Sequence, residues 1–403
     1  MHAVAKSLTE IEGELNKYFL ERREVIRAML LAVLAGEHIF MLGPPGVAKS
    51  LLVRIFVGAI LRKRYFEAQL SKQRPAEAIL GPLDVLEFRT NGNYFLKRKG
   101  YATDCEFVFL DEIGKASPVL WNDLLALANE RVYHEVNGGR SVHNAPLSTM
   151  FTASNEMITD QSDDAAAMWD RLLVRVFVDY LKDKRNFGKL LTAGAPTITT
   201  TVPWDELHAV ITHDVPAVVL TDDTVAQVVR LRSEFKKHSL VISDRRWRAS
   251  MKLLQANAFL NGRSETNDED LAVLRFALWD TVEQMDKVAE LCLSASNPFV
   301  KPLGEIRTRL REIENGVRDR EQGDAGGKWQ YGKEATQKLD KVRDELDLML
   351  IEAMGQAIPG FKAVSDQHER VLVNALMVCL EQTEDAARAM ASKKLGSGDG
   401  GNQ

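Results

Sequence analysis

Cysteine is scarce: there are three in 403 residues, Cys105, Cys292 and Cys379, far apart and with no CxxC pair. That excludes an even disulfide framework and fits a reducing compartment. Long apolar runs are missing too. No stretch reaches the roughly 18 uninterrupted apolar residues of a membrane span. The first residues, MHAVAKSLTEIEGELNKYF, carry charge where a signal peptide has an apolar core, so a cytoplasmic protein is expected. Nor is there an excess of basic charge: 52 Lys+Arg against 57 Asp+Glu leave a formal net charge of −5, which excludes a broadly basic nucleic-acid coat. No internal repeat is visible and no Ser/His/Asp triad can be placed. His134 and His143 flank one turn without a cysteine or carboxylate cluster to complete a zinc site.

What is present is a globular composition, 45% apolar and 27% charged, with length for two or three domains. Residues 1–190 alternate short apolar runs with helical patterns. HIFML (38–42), EFVFL (106–110) and LSTMFTAS (147–154) read as buried strands of a parallel sheet, each followed by a helical stretch. Hairpins are expected around Asn91-Gly92, between VLEF and YFLK, and around Asn137-Gly138-Gly139, between RVYHE and RSVH. TAGAPTITTTVPWDE (192–206) reads as a linker. Residues 205–290 read as helical, with Ser243 offering an N-cap to RRWRASMKLLQANAFL and NGR (261–263) ending that helix.

Narrow heptad-like seams follow: Ile306, Leu310, Ile313 and Val317, then Leu339, Val342, Leu346, Met349 and Ala353. With breaks at 322–332 and Pro359-Gly360 and a third helix at 364–392, residues 291–392 read as an antiparallel helical arm. A disordered tail at 393–403 ends the chain.

Chemistry concentrates in three segments. Gly43-Pro44-Pro45-Gly46-Val47-Ala48-Lys49-Ser50 follows one strand and precedes LLVRIFVGAIL, the strand–loop–helix setting of a phosphate-binding loop. The loop backbone from Gly43 to Leu51, through the N–H groups of its residues other than Pro44 and Pro45, would cradle a phosphate at a helix N-terminus. Lys49 would neutralise the β- and γ-phosphates, and Ser50 would ligate Mg²⁺. Ala48 stands where the pattern GxxxxGK[ST] has its second glycine, and an alanine suits a helical φ. Next, FVFLDEIGKA ends a strand in two acids. Asp111 would hold the Mg²⁺, directly or through water, and Glu112 would polarise the attacking water. FTASNE then ends a third strand in Asn155, which would orient that water.

Arginines complete the set. Arg171 and Arg175, spaced i, i+4 in WDRLLVRVFVDY, are alternatives for an arginine finger reaching a neighbouring subunit's γ-phosphate. In SDRRWR, Arg245 or Arg246 would fold back onto the nucleotide as a lid sensor.

In family order, RREVIRAMLLAVLAGEHIFMLGPPGVAKSLL, ILGPLDVLEF, FVFLDEIGKASPVLWNDLLALANER, FTASNE, MWDRLLVRVFVDY and SDRRWRASMKLLQANAFLNGR resemble the AAA+ ATPases of the MoxR family. The resemblance is to the RavA (regulatory ATPase variant A) branch. It implies an α/β P-loop core with β-hairpin inserts and an all-α lid, assembled as a homo-hexamer with ATP and Mg²⁺ between subunits. Lys49 and Ser50 match the Walker A positions, Asp111 and Glu112 Walker B, Asn155 sensor 1, Arg171 the finger and Arg245 or Arg246 sensor 2. Turnover would move the lid against the core and shift the hairpins. The resemblance further implies a chaperone-like remodeller working with a protein client, such as a von Willebrand factor A-domain partner. The roughly ten-residue break at 322–332 is too short for the small β-rich domain that the RavA arm carries.

Two other readings stand beside this one. A nucleic-acid motor would use Lys97, Arg98 and Lys99, but the negative net charge and the lack of interleaved basic and aromatic residues speak against it. The other is a nucleotide-gated scaffold with little turnover, against which Asp111-Glu112 stands.

Overall fold

The computed structural model describes residues 2–137, 139–158, 163–297, 300–320 and 331–345. The expected third arm helix, the tail and the seam positions from Leu346 onward lie outside the described residues. The chain divides into two units, Met1–Ser296 and Asn297–Gln403. Among the described residues, no helix is long and apolar enough to cross a membrane.

The first unit opens with α1 (Ala3–Tyr18) and α2 (Arg23–Leu34). Strand β1 (Ile39–Leu42) leads into α3 (Lys49–Gly58). Strand β2 (Tyr65–Gln69), helix α4 (Val85–Asn91), β3 (Phe107–Asp111) and α5 (Pro118–Glu130) follow. Strands β4 (Val132–Asn137) and β5 (Gly139–Asn144) form an antiparallel ribbon. Then come β6 (Thr149–Ser154), α6 (Asp163–Arg171) and β7 (Val174–Phe177). Five strands pair in the order β2-β3-β6-β1-β7, all parallel.

The sheet is buried on both sides, and its alternation shows how. Ile39, Met41, Phe107 and Phe109 point into one cluster, whereas Phe40, Leu42, Val108 and Leu110 point into the other. Helices therefore cover both faces, and the strands' C-terminal ends are left to carry loops. The first cluster runs on without a break into the C-terminal helices. Phe235 of α8 (Asp222–Lys237), Trp247 and Leu254 of α9 (Asp244–Leu260) and Trp279 belong to it. The unit closes with a 3₁₀ stretch, Asp268–Phe276, and α10 (Met285–Ser296). This is a parallel α/β core continued by a helical C-terminal part.

The hairpin expected at Asn91-Gly92 is not there; VLEFRTN is α4. Asp84 caps it, accepting from the N–H groups of Leu86 and Glu87, each at 3.1 Å, and Gly92 (φ 71°) ends it in the left-handed region. A single antiparallel bridge, Leu83 to Leu96, is all that pairs around it. The second hairpin forms, but its register sets Tyr133 opposite His143 and His134 opposite Val142.

The stretch read as a linker is tethered. Glu14 accepts from the Thr199 hydroxyl (2.8 Å), the Thr199 N–H (2.7 Å) and the Thr200 hydroxyl (2.8 Å). Val202–Pro203 then pairs in parallel with Ile60–Leu61. These donors, the Thr199 hydroxyl foremost, hold the Glu14 carboxyl down to about 2 from its ordinary 4.5. Because the folded value is the lower one, the tether is at full strength above about pH 4.5 and is lost as pH falls toward 2. Glu14→Gln should give faster amide hydrogen exchange at Thr199, Thr200 and Val202 near neutral pH. Unchanged protection in the variant would disprove the tether.

In the second unit, α11 (Val300–Arg320) and a helix over 331–345 bury their seams. Ile306, Leu310, Ile313 and Val317 are covered, as are Ala335, Leu339 and Val342. Arg309 pairs with Glu345.

Candidate active site

Gly43 leaves β1 pressed against the end of β7. Its N–H donates to Ser154 O (3.1 Å), and Val178 N–H donates to Leu42 O (2.7 Å). A Cβ on Gly43 would stand 2.0 Å from Val178 O, so only glycine fits. Gly46 turns the loop at φ 81°. Val47 is buried and Leu51 is exposed. α3 starts at Lys49 with no side-chain cap, leaving its first N–H groups to a ligand.

Ala48 departs from expectation. It is not helical but left-handed, φ 65° and ψ 27°. A Cβ there costs about 1–2 kcal/mol. Ala48→Gly should therefore raise stability by about 1 kcal/mol, after allowing for the entropy glycine adds to the unfolded chain. A chemical-denaturation midpoint that falls would contradict this.

Lys49 is buried. Its ammonium donates to Gly43 O, to Pro44 O at 3.1 Å and to Asn155 Oδ1 at 3.0 Å. Burial pushes its pKa down, while Asp111 and Glu112 pull it back up. Asn155 uses its other end as well: Nδ2 donates to Glu112 Oε1 at 2.7 Å. Ser50 Oγ donates to Asp111 Oδ2 at 3.0 Å, and the Glu112 N–H donates to Asp111 Oδ1 at 2.9 Å. Loop, paired acids and Asn155 thus close into one hydrogen-bonded constellation at the C-terminal ends of β1, β3 and β6. Glu112 is itself left-handed, φ 57°, a strain of the kind that collects at working sites.

Two neighbours escaped the sequence reading. Lys115 approaches Glu112 Oε2 at 3.3 Å, and Tyr180 donates to Pro45 O at 3.3 Å. The basic residue three positions after Glu112 was a legible signal for the first. Nothing local points to the second.

The arginines lie elsewhere. A cavity of about 1110 Å³ opens where the strands begin, walled by Gly36, Glu37 and His38 ahead of β1 and by Arg171 ahead of β7. Arg131, Arg245, Arg248 and Lys252 face it too, and basic lining residues outnumber acidic ones six to three. Arg171 donates to Ala167 O at 2.6 Å, and its pKa is lowered by burial and by Arg245. Arg245 bonds Asn129 and lies 3.8 Å from Asp170. At ~3.3 Å per residue, the four residues of β1 put about 13 Å between this cavity and the phosphate loop. Arg245 and Arg246 therefore do not fold back onto the loop of their own chain.

Arg175 is corrected as well. It sits inside β7 rather than on a helix face with Arg171, is 0% exposed and is held by Leu172 O, Trp169 O, Trp279 O and Asp280. It has no path to a neighbour's phosphate. Arg246 is likewise buried, against Asp280 and Ala277 O, and burial brings it down to about 10.

A phosphate loop, two acids at a neighbouring strand end and a polar Asn155 between them, on a parallel five-stranded sheet with a helical lid, define a P-loop nucleotide-binding protein of AAA+ type. Comparison with known proteins narrows this. Residues 6–215 match the family described as the MoxR domain in the MoxR-vWA-beta-propeller ternary systems, and residues 223–292 match an AAA lid domain. The chain belongs to the MoxR family of AAA+ ATPases. Two uncharacterized proteins of Methanocaldococcus jannaschii are each 32% identical to it, over 316 and 311 residues. Those spans cover 78% and 77% of this chain, and 81% and 82% of theirs. A crystal structure of a candidate ATPase from Cytophaga hutchinsonii shares the fold, with TM-score 0.56 at 16% identity over 72% of this chain and 94% of that one.

Proposed function

We propose that the chain hydrolyses ATP to ADP and phosphate at a site shared between copies, and uses the turnover to remodel a protein partner. The observation that carries this reading is Asn155, which touches Lys49 and Glu112 at once. It sets the group that would bind the γ-phosphate beside the base that would activate water. Glu112 takes the proton from water, Asn155 orients that water, and Lys49 meets the negative charge on the transferring phosphoryl. Arg171, and Arg245 beside it, open about 13 Å from their own loop and so serve the loop of a neighbour. A closed ring of copies, a homo-hexamer in the resembling proteins, gives each loop such a neighbour.

Ser50 and Asp111 offer a hydroxyl and a carboxylate, the hard oxygen donors that Mg²⁺ takes. Among the described residues no group of three His, Cys, Asp or Glu could hold an ion alone. The ion therefore fits here as part of an ATP complex, where it neutralises phosphate charge. We take residues 1–190 as the nucleotide-binding core, 205–290 as the lid and 291–392 as a helical arm. The lid match at 223–292 and the unit boundary after Ser296 support that division.

The partner we propose carries a von Willebrand factor A domain, with a β-propeller protein as a third component. The description of the matched family supports this. Kinship to the RavA branch rests on the sequence stretches alone. Phosphate release with ATP and Mg²⁺ tests the core of the reading. Activity per molecule should rise with protein concentration as shared sites assemble, and DNA should leave it unchanged. Absent phosphate release refutes hydrolysis, and DNA stimulation turns the reading to a nucleic-acid motor.

A further inference from the structure

Two arginines that line the cavity, Arg171 and Arg245, each have a buried arginine close by in the chain. Arg171 ends α6, and Arg175 follows four residues later in β7. Arg245 and Arg246 are adjacent in the first turn of α9. The two buried guanidinium groups converge. Arg175 donates to Asp280 Oδ1 at 2.7 Å, and Arg246 donates to the same oxygen at 2.9 Å. Arg175 and Arg246 are 0% and 2% exposed. Carbonyl oxygens take up further donors: those of Leu172, Trp169 and Trp279 on Arg175, and those of Ala277 and Leu173 on Arg246. The Arg175 guanidinium also lies 3.6 Å from the centre of the Trp169 ring.

Two buried like charges repel, and water is not there to screen them. The carboxylate between them is what makes their approach tolerable. Asp280 belongs to neither arginine-bearing segment; it follows the 3₁₀ stretch of the lid, past Trp279. One oxygen thus ties together α9, the α6–β7 junction and the lid. Fork-shaped guanidinium groups hold such a geometry in direction as well as distance.

We propose that Asp280 is a positioning residue: through Arg175 and Arg246 it sets the spacing between Arg171 and Arg245, the pair presented to a neighbouring copy's ATP. This rests on the shared-site reading above. Asp280 touches no nucleotide itself, so its removal leaves its own chain's phosphate loop intact and spoils the face offered to the next.

The test uses full-length chains and phosphate release. Asp280→Asn should keep ATP affinity within about twofold and lose about tenfold or more in kcat, as expected for misplaced groups. Mixing it with Lys49→Ala copies, whose loops are dead but whose arginine faces are intact, should restore turnover. Arg171→Ala mixed with Lys49→Ala is the control. If that control stays inactive, the shared-site reading itself falls, and this proposal with it. If the control recovers but Asp280→Asn does not, Asp280 has a different role. Parent-like turnover by Asp280→Asn alone also overturns the proposal. Should Asp280→Asn fail to fold, Arg246→Lys keeps the buried charge but loses the fork. It should show the same kcat loss and the same recovery on mixing, and parent-like turnover there counts against the proposal.

Discussion

Glu112→Gln should bind ATP as the parent does and turn it over about 10²–10⁴-fold more slowly, the range expected for loss of a general base. The two side chains are nearly isosteric. The glutamine carbonyl can still accept from Asn155 Nδ2, which now reaches Glu112 Oε1 at 2.7 Å. The left-handed backbone at position 112 is equally costly for either residue. Lys115 loses an ionic partner, but it is more than half exposed and can turn to water. What the amide cannot do is accept a proton from water. Titration with a fluorescent ATP analogue and phosphate release together read the split. Turnover at the parent rate would remove Glu112 from the role of base. A parallel loss of affinity would mean that the carboxylate mainly holds the loop together.

The second large effect separates two arginines only four residues apart. Arg171→Ala should leave folding and ATP affinity nearly unchanged and cut turnover about 10³-fold, the lower end for an arginine finger. Its guanidinium donates to a carbonyl within its own helix, Ala167 O, so little structure depends on it. Arg175→Ala should behave in the opposite way. It would take this donor from three carbonyls, those of Leu172, Trp169 and Trp279, and leave Asp280 to Arg246. Emptying the space of a fully buried side chain and leaving carbonyls without that donor costs about 3–5 kcal/mol, so the variant should melt well below the parent. Thermal unfolding and phosphate release on both proteins decide the matter. An Arg175→Ala chain that melts normally yet fails to hydrolyse would reverse the assignment.

The phosphate loop was legible because its chemistry is contiguous: Gly43 to Ser50 is one motif between a strand and a helix. Asp111, Glu112 and Asn155 were legible for a related reason, since each ends an apolar run. What the one-dimensional pattern could not carry was the choice between Arg171 and Arg175. That choice turns on Asp280, 105 residues beyond Arg175. Asn91-Gly92 misled because one glycine conformation serves two purposes. A left-handed residue closes a hairpin turn, and it equally ends a helix. Asp84, seven residues earlier, decides for the helix by capping it. The Ala48 methyl suggested a helical backbone, but the loop imposes φ 65° on it.

The tethered stretch after α7 (Lys184–Thr192) has a mechanical consequence. A swinging lid needs a hinge, and the segment between core and lid is the natural place for one. Here Glu14 fastens its middle and Ile60–Leu61 fastens its end. The lid's Trp247 and Trp279 share one core with the sheet. Core and lid are thus joined by a fastened segment and by one continuous core, as the parts of a lever are. If copies assemble and hydrolyse ATP as proposed above, the work of a turnover would leave at the seam between them, as a change in their mutual angle. The client would then feel the displacement of whole protomers rather than the flexing of any one.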